Sequence, residues 1–333
     1  MQNKLILAVL IPVAVVQLAA LLTAPRALRL STAGPTTGPT IVGDPVDYLA
    51  AAEEQVAGLN PIIQGTEKRI RWFGNSKGQR TRYAIIYLHG FSATRQEIAP
   101  VGELIADQLG ANLFETRLSG HGHNVDALVD VTAEDWLADA VESLAIGKLL
   151  GERLVVIGTS TGATLALAAS NHELFTDVDS LIMISPNFAP RDGMAELLVW
   201  PGGPQLARLV LGNTRSWTAA NDLQDKYWST TYPVAALVEM MRLVKRVRSQ
   251  LPMQLEQAVL TLYSPKDQVV SIDRLRTSIA QIDSPRLRTV EIPGSGDPAN
   301  HVLAGNILAA DNNETIVNEI VDFVTWPEQQ IDE

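Results

Sequence analysis

Cysteine is absent from this 333-residue sequence, and histidine occurs only five times. Without cysteine the chain forms no disulfide and has neither a thiolate nucleophile nor a cysteine-ligated metal. Basic residues are also scarce: 26 lysines and arginines face 37 aspartates and glutamates, which gives a formal net charge of −11 at pH 7. No nucleic-acid partner is therefore expected, because binding to phosphates requires a basic surface.

The N-terminal segment is dominated by one hydrophobic run, residues 5–22, which only Pro12 and Gln17 interrupt. A helix needs roughly 20 apolar residues to cross the hydrocarbon core of a bilayer, and this run approaches that length. Two interpretations are open. The length favours an uncleaved single-pass anchor, and the alternative is a signal peptide that is cleaved near Ala24 after export. We therefore expect membrane association through this segment.

A turn-rich stretch separates the hydrophobic run from the rest of the chain. Residues 31–43 (STAGPTTGPTIVG) are rich in threonine, glycine and proline, which is typical of a linker. The chain as a whole has 46% hydrophobic residues, as expected of a globular protein with a sizeable core. We predict an anchor or signal segment over 1–30, a linker over 31–43, a core over 44–186 and 252–333, and a helical cap insertion over 187–251.

Short apolar runs alternate with amphipathic stretches from Ile70 onward. The runs are nearly continuous, as expected of parallel strands that are covered on both faces. Helical periodicity lies between them, for example after Thr132, which precedes two acidic residues and is suited to begin a helix. The pattern predicts an α/β fold with a mostly parallel, doubly wound sheet. The strands are expected at residues 84–88, 111–117, 154–158, 181–185, 258–263 and 287–292.

One gap interrupts this alternation between Pro186 and Leu251. The segment contains helical patterns but no clear strand, and it holds three tryptophans and three methionines. We predict a helical cap inserted between two core strands. Its tryptophans and methionines either line an apolar acyl pocket or form a small core within the cap itself.

The sharpest catalytic motif is GTSTG at residues 158–162. It lies between an apolar strand and an alanine-rich helix, which is the setting that a nucleophile elbow requires. A side chain two residues before or after the serine would clash in so tight a turn, and both positions are glycine. The N-terminus of the following helix also favours negative charge that develops there. Ser160 is the predicted nucleophile, and a glycine-rich turn without catalysis is the alternative.

A serine hydroxyl needs a histidine base that a carboxylate orients, in the chain order Ser, acid, His. Only His172 and His301 follow Ser160. His172 lies near the end of the next helix, about three turns away, and would point off the site. His301 follows the last strand in a loop rich in glycine, proline and asparagine. His301 is therefore the predicted base.

Three aspartates compete for the role of the acid. Asp267 lies in the turn directly after the strand at 258–263, at the sheet edge where the nucleophile is expected. Asp273 is expected in the first turn of a helix, where an acid compensates the helix dipole. Asp297 shares the loop of His301. We favour Asp267.

Two backbone amides should hold the oxyanion. Thr161 follows the nucleophile directly, and Phe91 follows the first core strand in the sequence HGF. Their N–H groups are the expected donors. The histidine of that sequence, His89, is expected to orient its loop, while His121 and His123 either line the site or pack loops.

These motifs together resemble the α/β-hydrolases near monoacylglycerol lipase and bacterial carboxylesterases. The resemblance covers residues 69–323. It implies a triad of Ser160, Asp267 and His301, a helical cap, and hydrolysis of a carboxylic ester through an acyl-enzyme without a cofactor or metal. The expected partner is a small-molecule or lipid ester. The motifs that carry it are HGF at 89–91, RLSGHG at 117–122, GTSTG at 158–162, SPKD at 264–267, and His301.

Other activities can use the same triad. The family also includes amidases, thioesterases and serine peptidases, so acyl transfer to an acceptor other than water and peptide or amide hydrolysis remain open. A non-catalytic, membrane-tethered binding protein is a further alternative, although it has no need of an intact Ser, Asp and His set. The sequence identifies neither substrate-binding residues nor an oligomeric state.

Overall fold

The computed structural model describes residues 38–75, 77–123 and 125–329. Its helices and strands alternate through most of the chain. The helices are α1 (Pro45–Leu59), α2 (Val101–Leu109), α3 (Ala133–Leu150), α4 (Thr161–Ala168), α5 (Gly203–Leu211), α6 (Asp222–Tyr227), α7 (Val234–Ser249), α8 (Ile272–Ile279) and α9 (Asn313–Gln329). The strands are β1 (Arg69–Arg71), β2 (Thr81–Leu88), β3 (Asn112–Glu115), β4 (Gly151–Thr159), β5 (Val178–Ile184), β6 (Thr214–Ser216), β7 (Thr231–Pro233), β8 (Met253–Gln254), β9 (Ala258–Tyr263), β10 (Ile282–Asp283) and β11 (Leu287–Glu291).

A seven-stranded sheet forms the centre, in the order β1-β3-β2-β4-β5-β9-β11. β1 is antiparallel to β3, and every other neighbouring pair in this sheet is parallel. The last six residues of β2 and of β4 are all buried. The nearly continuous apolar runs of the sequence therefore correspond to strands that are covered on both faces. The predicted α/β fold with a mostly parallel sheet is confirmed.

The two faces of the sheet contribute to two hydrophobic clusters. Along β2, Ile86 belongs to the cluster that contains Trp136, and the next residue, Tyr87, belongs to the cluster that contains Phe323. This alternation is the one expected of a strand whose successive side chains point to opposite faces. The core therefore lies on both sides of the sheet.

Helix α3 begins at a capping box. The side chain of Thr132 accepts a hydrogen bond from the main-chain N–H of Asp135, and the Asp135 carboxylate accepts one from the main-chain N–H of Thr132 at 2.8 Å. Two amide groups that would otherwise lack partners are thereby satisfied. The helix start predicted at Thr132 is confirmed.

Between β5 and β9 the chain forms α5, α6 and α7, together with an antiparallel ribbon of β6 and β7. The ribbon was not predicted, because β6 is exposed along its whole length and has no apolar pattern. The limits of the cap at residues 187–251 remain a prediction.

The prediction of a single-pass membrane anchor is wrong. Across residues 38–75, 77–123 and 125–329, no helix combines the length and the apolar character that a bilayer crossing demands. The longest of these helices, α3, has 18 residues and carries five charged side chains. The hydrophobic run at residues 5–22, on which both the anchor and the cleaved-signal interpretations rested, lies outside the described residues.

Candidate active site

Ser160 stands at the junction of β4 and α4 in a strained conformation, with φ at 53° and ψ at −115°. A Cβ atom at Gly158 would lie 2.5 Å from the main-chain nitrogen of Ala163, and one at Gly162 would overlap the carbonyl oxygen of Leu88. The turn closes this tightly only because both positions lack a side chain. The steric requirement predicted for these two glycines is confirmed.

We expect Gly162→Ala to destabilise the fold. The added methyl group must push the end of β2 away from the elbow, and overpacking of this kind costs roughly 1–3 kcal/mol. Chemical denaturation measures the change in the free energy of unfolding. Gly193→Ala is the matched control, because Gly193 is exposed and a Cβ there would meet no atom within 4 Å. Equal stability of the two variants would contradict this account of the elbow.

His301 and Asp267 are joined directly in the interior. The Nδ1 atom of His301 lies 2.7 Å from Oδ2 of Asp267, and both residues are buried. The other carboxylate oxygen, Oδ1, accepts the main-chain N–H groups of Val269 at 2.7 Å and Val270 at 3.0 Å. The backbone therefore fixes one oxygen, while the other accepts the Nδ1–H of the imidazole. This tautomer leaves Nε2 free to accept a proton.

The two rival aspartates have other surroundings. Asp297 accepts main-chain N–H groups of its own loop, including those of His301 and Val302, each at 2.9 Å from Oδ2. Asp273 is exposed in the first turn of α8. Asp267 is the aspartate whose carboxylate reaches the ring of His301, and Asp297 shapes the loop that carries the ring.

Short hydrogen bonds connect the serine elbow with the histidine loop. The main-chain N–H of Ser160 donates to the carbonyl oxygen of Ile184 at 2.8 Å. The hydroxyl of the next residue, Ser185, donates to the carbonyl oxygen of His301 at 2.7 Å. Ser160, Asp267 and His301 follow β4, β9 and β11, so all three lie beyond the carboxyl ends of parallel strands. This is the edge where ligands bind in open α/β sheets.

Neighbouring charges set the proton affinity of His301. Burial by itself lowers the pKa of this imidazole, while the charge and hydrogen bond of Asp267 raise it. The charges of Glu97 and Asp297 act in the same direction as Asp267. The pKa of His301 is therefore raised above the ordinary value of 6.5.

The loop after β2 leaves one amide unengaged. Among the described residues, the structure records no acceptor for the N–H of Phe91, although the N–H groups of Gly90, Ser92 and Ala93 each have one. Thr161 is the first residue of α4, and first-turn amides have no acceptor within their own helix. Both predicted oxyanion donors thus suit an incoming acceptor. The neighbouring donors and acceptors are Gly90 N to Glu97 Oε2 at 2.8 Å, Ser92 N to His121 Nε2 at 3.1 Å, and Ala93 N to Gly90 O at 3.2 Å.

His89 and His121 join this loop to the loop after β3. The Nε2 atom of His89 accepts the N–H of Leu118 at 3.0 Å, and Nε2 of His121 accepts that of Ser92 at 3.1 Å. Burial lowers the pKa of both rings, to about 4 for His121. Neutral rings can keep accepting these hydrogen bonds. The contacts favour loop orientation for His89 and loop packing for His121.

The remaining two histidines also make packing contacts. The ring of His123 lies between Nη1 of Arg117 and the carbonyl oxygen of Pro61, at 3.0 Å from each. The Nδ1 atom of His172 accepts the main-chain N–H of Leu174 at 3.1 Å and caps a short turn after α4. In the part of the chain that the structure describes, no group of three or more acidic or histidine side chains could hold a metal ion.

Of the tryptophans and methionines between β5 and β9, some are buried and others lie on the surface. Trp228 is buried in a small cluster with Ala93 and Val302, the residue after His301. Trp200 and Met194 are exposed. Trp228 therefore packs against the histidine loop, whereas Trp200 and Met194 belong to the outer surface.

Residues 85–306 match the Alpha/beta hydrolase family. The match covers more than half of the chain and includes Ser160, Asp267 and His301. The chain therefore belongs to the α/β-hydrolase family.

Lipases are among the proteins to which the chain is similar. A thermostable monoacylglycerol lipase of Bacillus sp. strain H-257 is 28% identical over 167 residues, which are 50% of this chain and 64% of that protein. The chain thus spans less than two thirds of the length of this relative. The prediction of an α/β-hydrolase that resembles monoacylglycerol lipases and esterases is confirmed.

Solved structures show the same fold at lower identity. A structure described with the metagenome-derived lipolytic enzymes LipS and LipT has a TM-score of 0.64 at 18% identity, over 79% of this chain and 98% of that chain. A soluble variant of monoglyceride lipase from Saccharomyces cerevisiae has a TM-score of 0.57 at 12% identity, over 78% and 90%. At these identities the likeness establishes the fold alone.

Proposed function

We propose that this chain is a serine hydrolase that cleaves carboxylic esters. The observation that carries the proposal is the buried pair of His301 and Asp267, with Nδ1 and Oδ2 at 2.7 Å, at the same sheet edge as the strained Ser160. A histidine that is oriented by a carboxylate, at the sheet edge that also carries a serine elbow, is what activation of a serine hydroxyl requires.

The proposed reaction proceeds in two halves. His301 takes the proton of Ser160 through Nε2 while Oγ attacks the ester carbonyl, and Asp267 stabilises the imidazolium that forms. The amides of Phe91 and Thr161 hold the oxyanion, and each such donor lowers the barrier by about 3 kcal/mol. The imidazolium then protonates the departing alcohol. Water repeats the attack on the acyl-enzyme and releases the acid, and the serine is restored.

An ester substrate is supported by the relatives and by the apolar surroundings of the oxyanion loop. The relative from Bacillus is named for an ester-cleaving activity. The ring of Phe91 lies 5.1 Å from that of Tyr232 and 5.9 Å from that of Trp136, centroid to centroid. Such aromatic surfaces suit the apolar part of a small-molecule or lipid ester.

The test compares p-nitrophenyl esters of short to long acyl chains with the matching p-nitroanilides. We expect turnover of the esters, with an optimum of chain length that measures the acyl pocket. Faster hydrolysis of the anilides than of the esters would contradict ester specificity. Adding a competing alcohol and analysing the products separates hydrolysis from acyl transfer, since a transferase would give mainly the new ester.

The pH dependence should follow His301. The base must be neutral to accept the serine proton, and its pKa is raised above 6.5. We therefore expect kcat/KM to increase with pH and to level off above this raised pKa. A profile of kcat/KM for one p-nitrophenyl ester, with folding checked at each pH, measures the effect. A rate that falls as pH rises from 6 to 8, about the range in which histidines titrate, would exclude His301 as the base.

A further inference from the structure

Glu97 is a buried carboxylate whose part in the proposed reaction is so far limited to the effect of its charge on the pKa of His301. It lies in the short turn after the oxyanion loop and is only 3% exposed. Within the described residues, the structure records no ion pair for it. Burial raises the pKa of Glu97, so a charge at this position is costly. A carboxylate retained at such a place must be stabilised by the groups it binds.

The contacts of Glu97 reach both halves of the site. Its Oε2 atom accepts the main-chain N–H of Gly90 and the hydroxyl of Tyr87, each at 2.8 Å. The same hydroxyl lies 3.2 Å from Oγ1 of Thr159, the residue before Ser160. One carboxylate oxygen therefore links the oxyanion loop, through Tyr87, to the serine elbow.

Gly90 is held between this carboxylate and the nucleophile. A Cβ atom at Gly90 would lie 2.8 Å from Oε1 of Glu97 and 3.3 Å from Cβ of Ser160. Glycine has wide backbone freedom, so its contacts on both sides must decide the direction of the peptide that follows. Glu97 holds the N–H of Gly90, while the carbonyl oxygen of Gly90 lies 2.9 Å from Nδ1 of His89 and accepts the N–H of Ala93 at 3.2 Å. That peptide carries the N–H of Phe91, whose direction decides whether the oxyanion is bound.

We propose that Glu97 is a positioning residue whose Oε2 atom fixes the Gly90 amide and thereby aims the N–H of Phe91 at the oxyanion. The inference rests on the proposed role of Ser160 as nucleophile. Glu97 acts as a hydrogen-bond acceptor, and the length of its side chain places the acceptor oxygen. Glutamine has the same length and keeps one acceptor oxygen without the charge, whereas aspartate keeps the charge but is one methylene shorter.

The test measures the second-order rate at which an alkyl fluorophosphonate labels Ser160 in the wild type, Glu97→Gln and Glu97→Asp. Phosphonylation requires the activated serine and the oxyanion donors, and it does not depend on which ester the enzyme prefers. The rates are compared at a pH above the raised pKa of His301, where this base is neutral with or without the charge of Glu97. There we expect Glu97→Gln to react at close to the wild-type rate. Glu97→Asp should react about 10- to 100-fold more slowly, since a misplacement of the order of 1 Å has effects of this size.

Steady-state kinetics and a third variant exclude a merely structural effect. For Glu97→Asp we expect kcat to fall with KM unchanged, because the oxyanion forms only after the attack. Glu97→Met retains the length, removes the acceptor and suits a buried position, so it should be as slow as Glu97→Asp. Circular dichroism and thermal unfolding identify the variants that are folded, and Glu97→Met decides the question if Glu97→Asp does not fold.

Two outcomes overturn the role of Glu97. Equal labelling rates in all variants would show that the Gly90 contact does not govern the oxyanion donors. A Glu97→Gln variant as slow as Glu97→Asp would show that charge, rather than an acceptor in the right place, is what matters. Failure of the wild type itself to react is a different result, because it removes the proposed nucleophile and with it the basis for this role.

Discussion

Replacing Ser160 with alanine should lower kcat for ester hydrolysis by roughly 10⁵- to 10⁶-fold. The variant has no hydroxyl to attack the carbonyl, and only the oxyanion donors and substrate binding remain to assist attack by water. The fold should persist, because the strained turn depends on Gly158 and Gly162 and alanine adds no atom. Hydrolysis of p-nitrophenyl esters measures the loss, with circular dichroism as the check of folding.

Ser249→Ala is a matched control for this experiment. Ser249 is an exposed serine at the end of α7, and its hydroxyl donates only to the carbonyl oxygen of Arg246. We expect its kcat and KM to equal those of the wild type. Turnover by Ser160→Ala at the rate of this control would show that another group is the nucleophile.

Asp267→Asn should lower kcat by about 10⁴-fold, because the asparagine would hold the wrong tautomer of His301. The amide oxygen must take the place of Oδ1, where it accepts the N–H groups of Val269 and Val270. The NH₂ group then faces Nδ1 of His301 and forces that atom to act as an acceptor. The ring proton moves to Nε2, which can no longer take the proton of Ser160. Steady-state kinetics on the same esters measures the effect.

The two rival aspartates supply the controls. Asp273→Asn changes an exposed residue, so we expect wild-type kcat. Both carboxylate oxygens of Asp297 accept N–H groups of its loop, and asparagine would keep only one acceptor oxygen. Asp297→Asn should therefore lower the free energy of unfolding. Its effect on kcat should be far smaller than that of Asp267→Asn. Equal losses of kcat in the Asp267 and Asp297 variants would contradict the choice of Asp267 as the acid.

Much of the fold could be predicted because the central strands are apolar runs. β9 spans the same residues, 258–263, that the sequence pattern indicates. The edge strand β1 could not be found in this way, because its sequence is Arg-Ile-Arg. It is held by main-chain pairing with β3 and by ion pairs, such as the one between Arg69 and Glu103 at 2.5 Å. Those partners are distant in sequence, so no local pattern reveals them.

The residues of the candidate site also differ in whether the sequence alone could reveal them. Ser160 and His301 could be proposed from local context, since Ser160 follows an apolar strand in a glycine-flanked turn and His301 lies in a loop rich in glycine, proline and asparagine after the last strand. Glu97 could not, because in the polar sequence SATRQE it resembles any exposed acidic residue. Only the packing of its turn against β2 and the elbow buries it. Sequence patterns therefore indicate where strands end, but they do not reveal a side chain that is buried by residues distant in the sequence.

Covalent labelling tests the proposed nucleophile most directly. The wild-type protein is treated with an alkyl fluorophosphonate, the modified residue is mapped by peptide mass spectrometry, and residual ester hydrolysis is measured on the same samples. We expect one adduct per chain, located on Ser160, with hydrolysis lost in proportion to labelling and labelling strongly slowed in Asp267→Asn. An adduct on another residue, or hydrolysis that continues after Ser160 is fully modified, would contradict a Ser160 esterase.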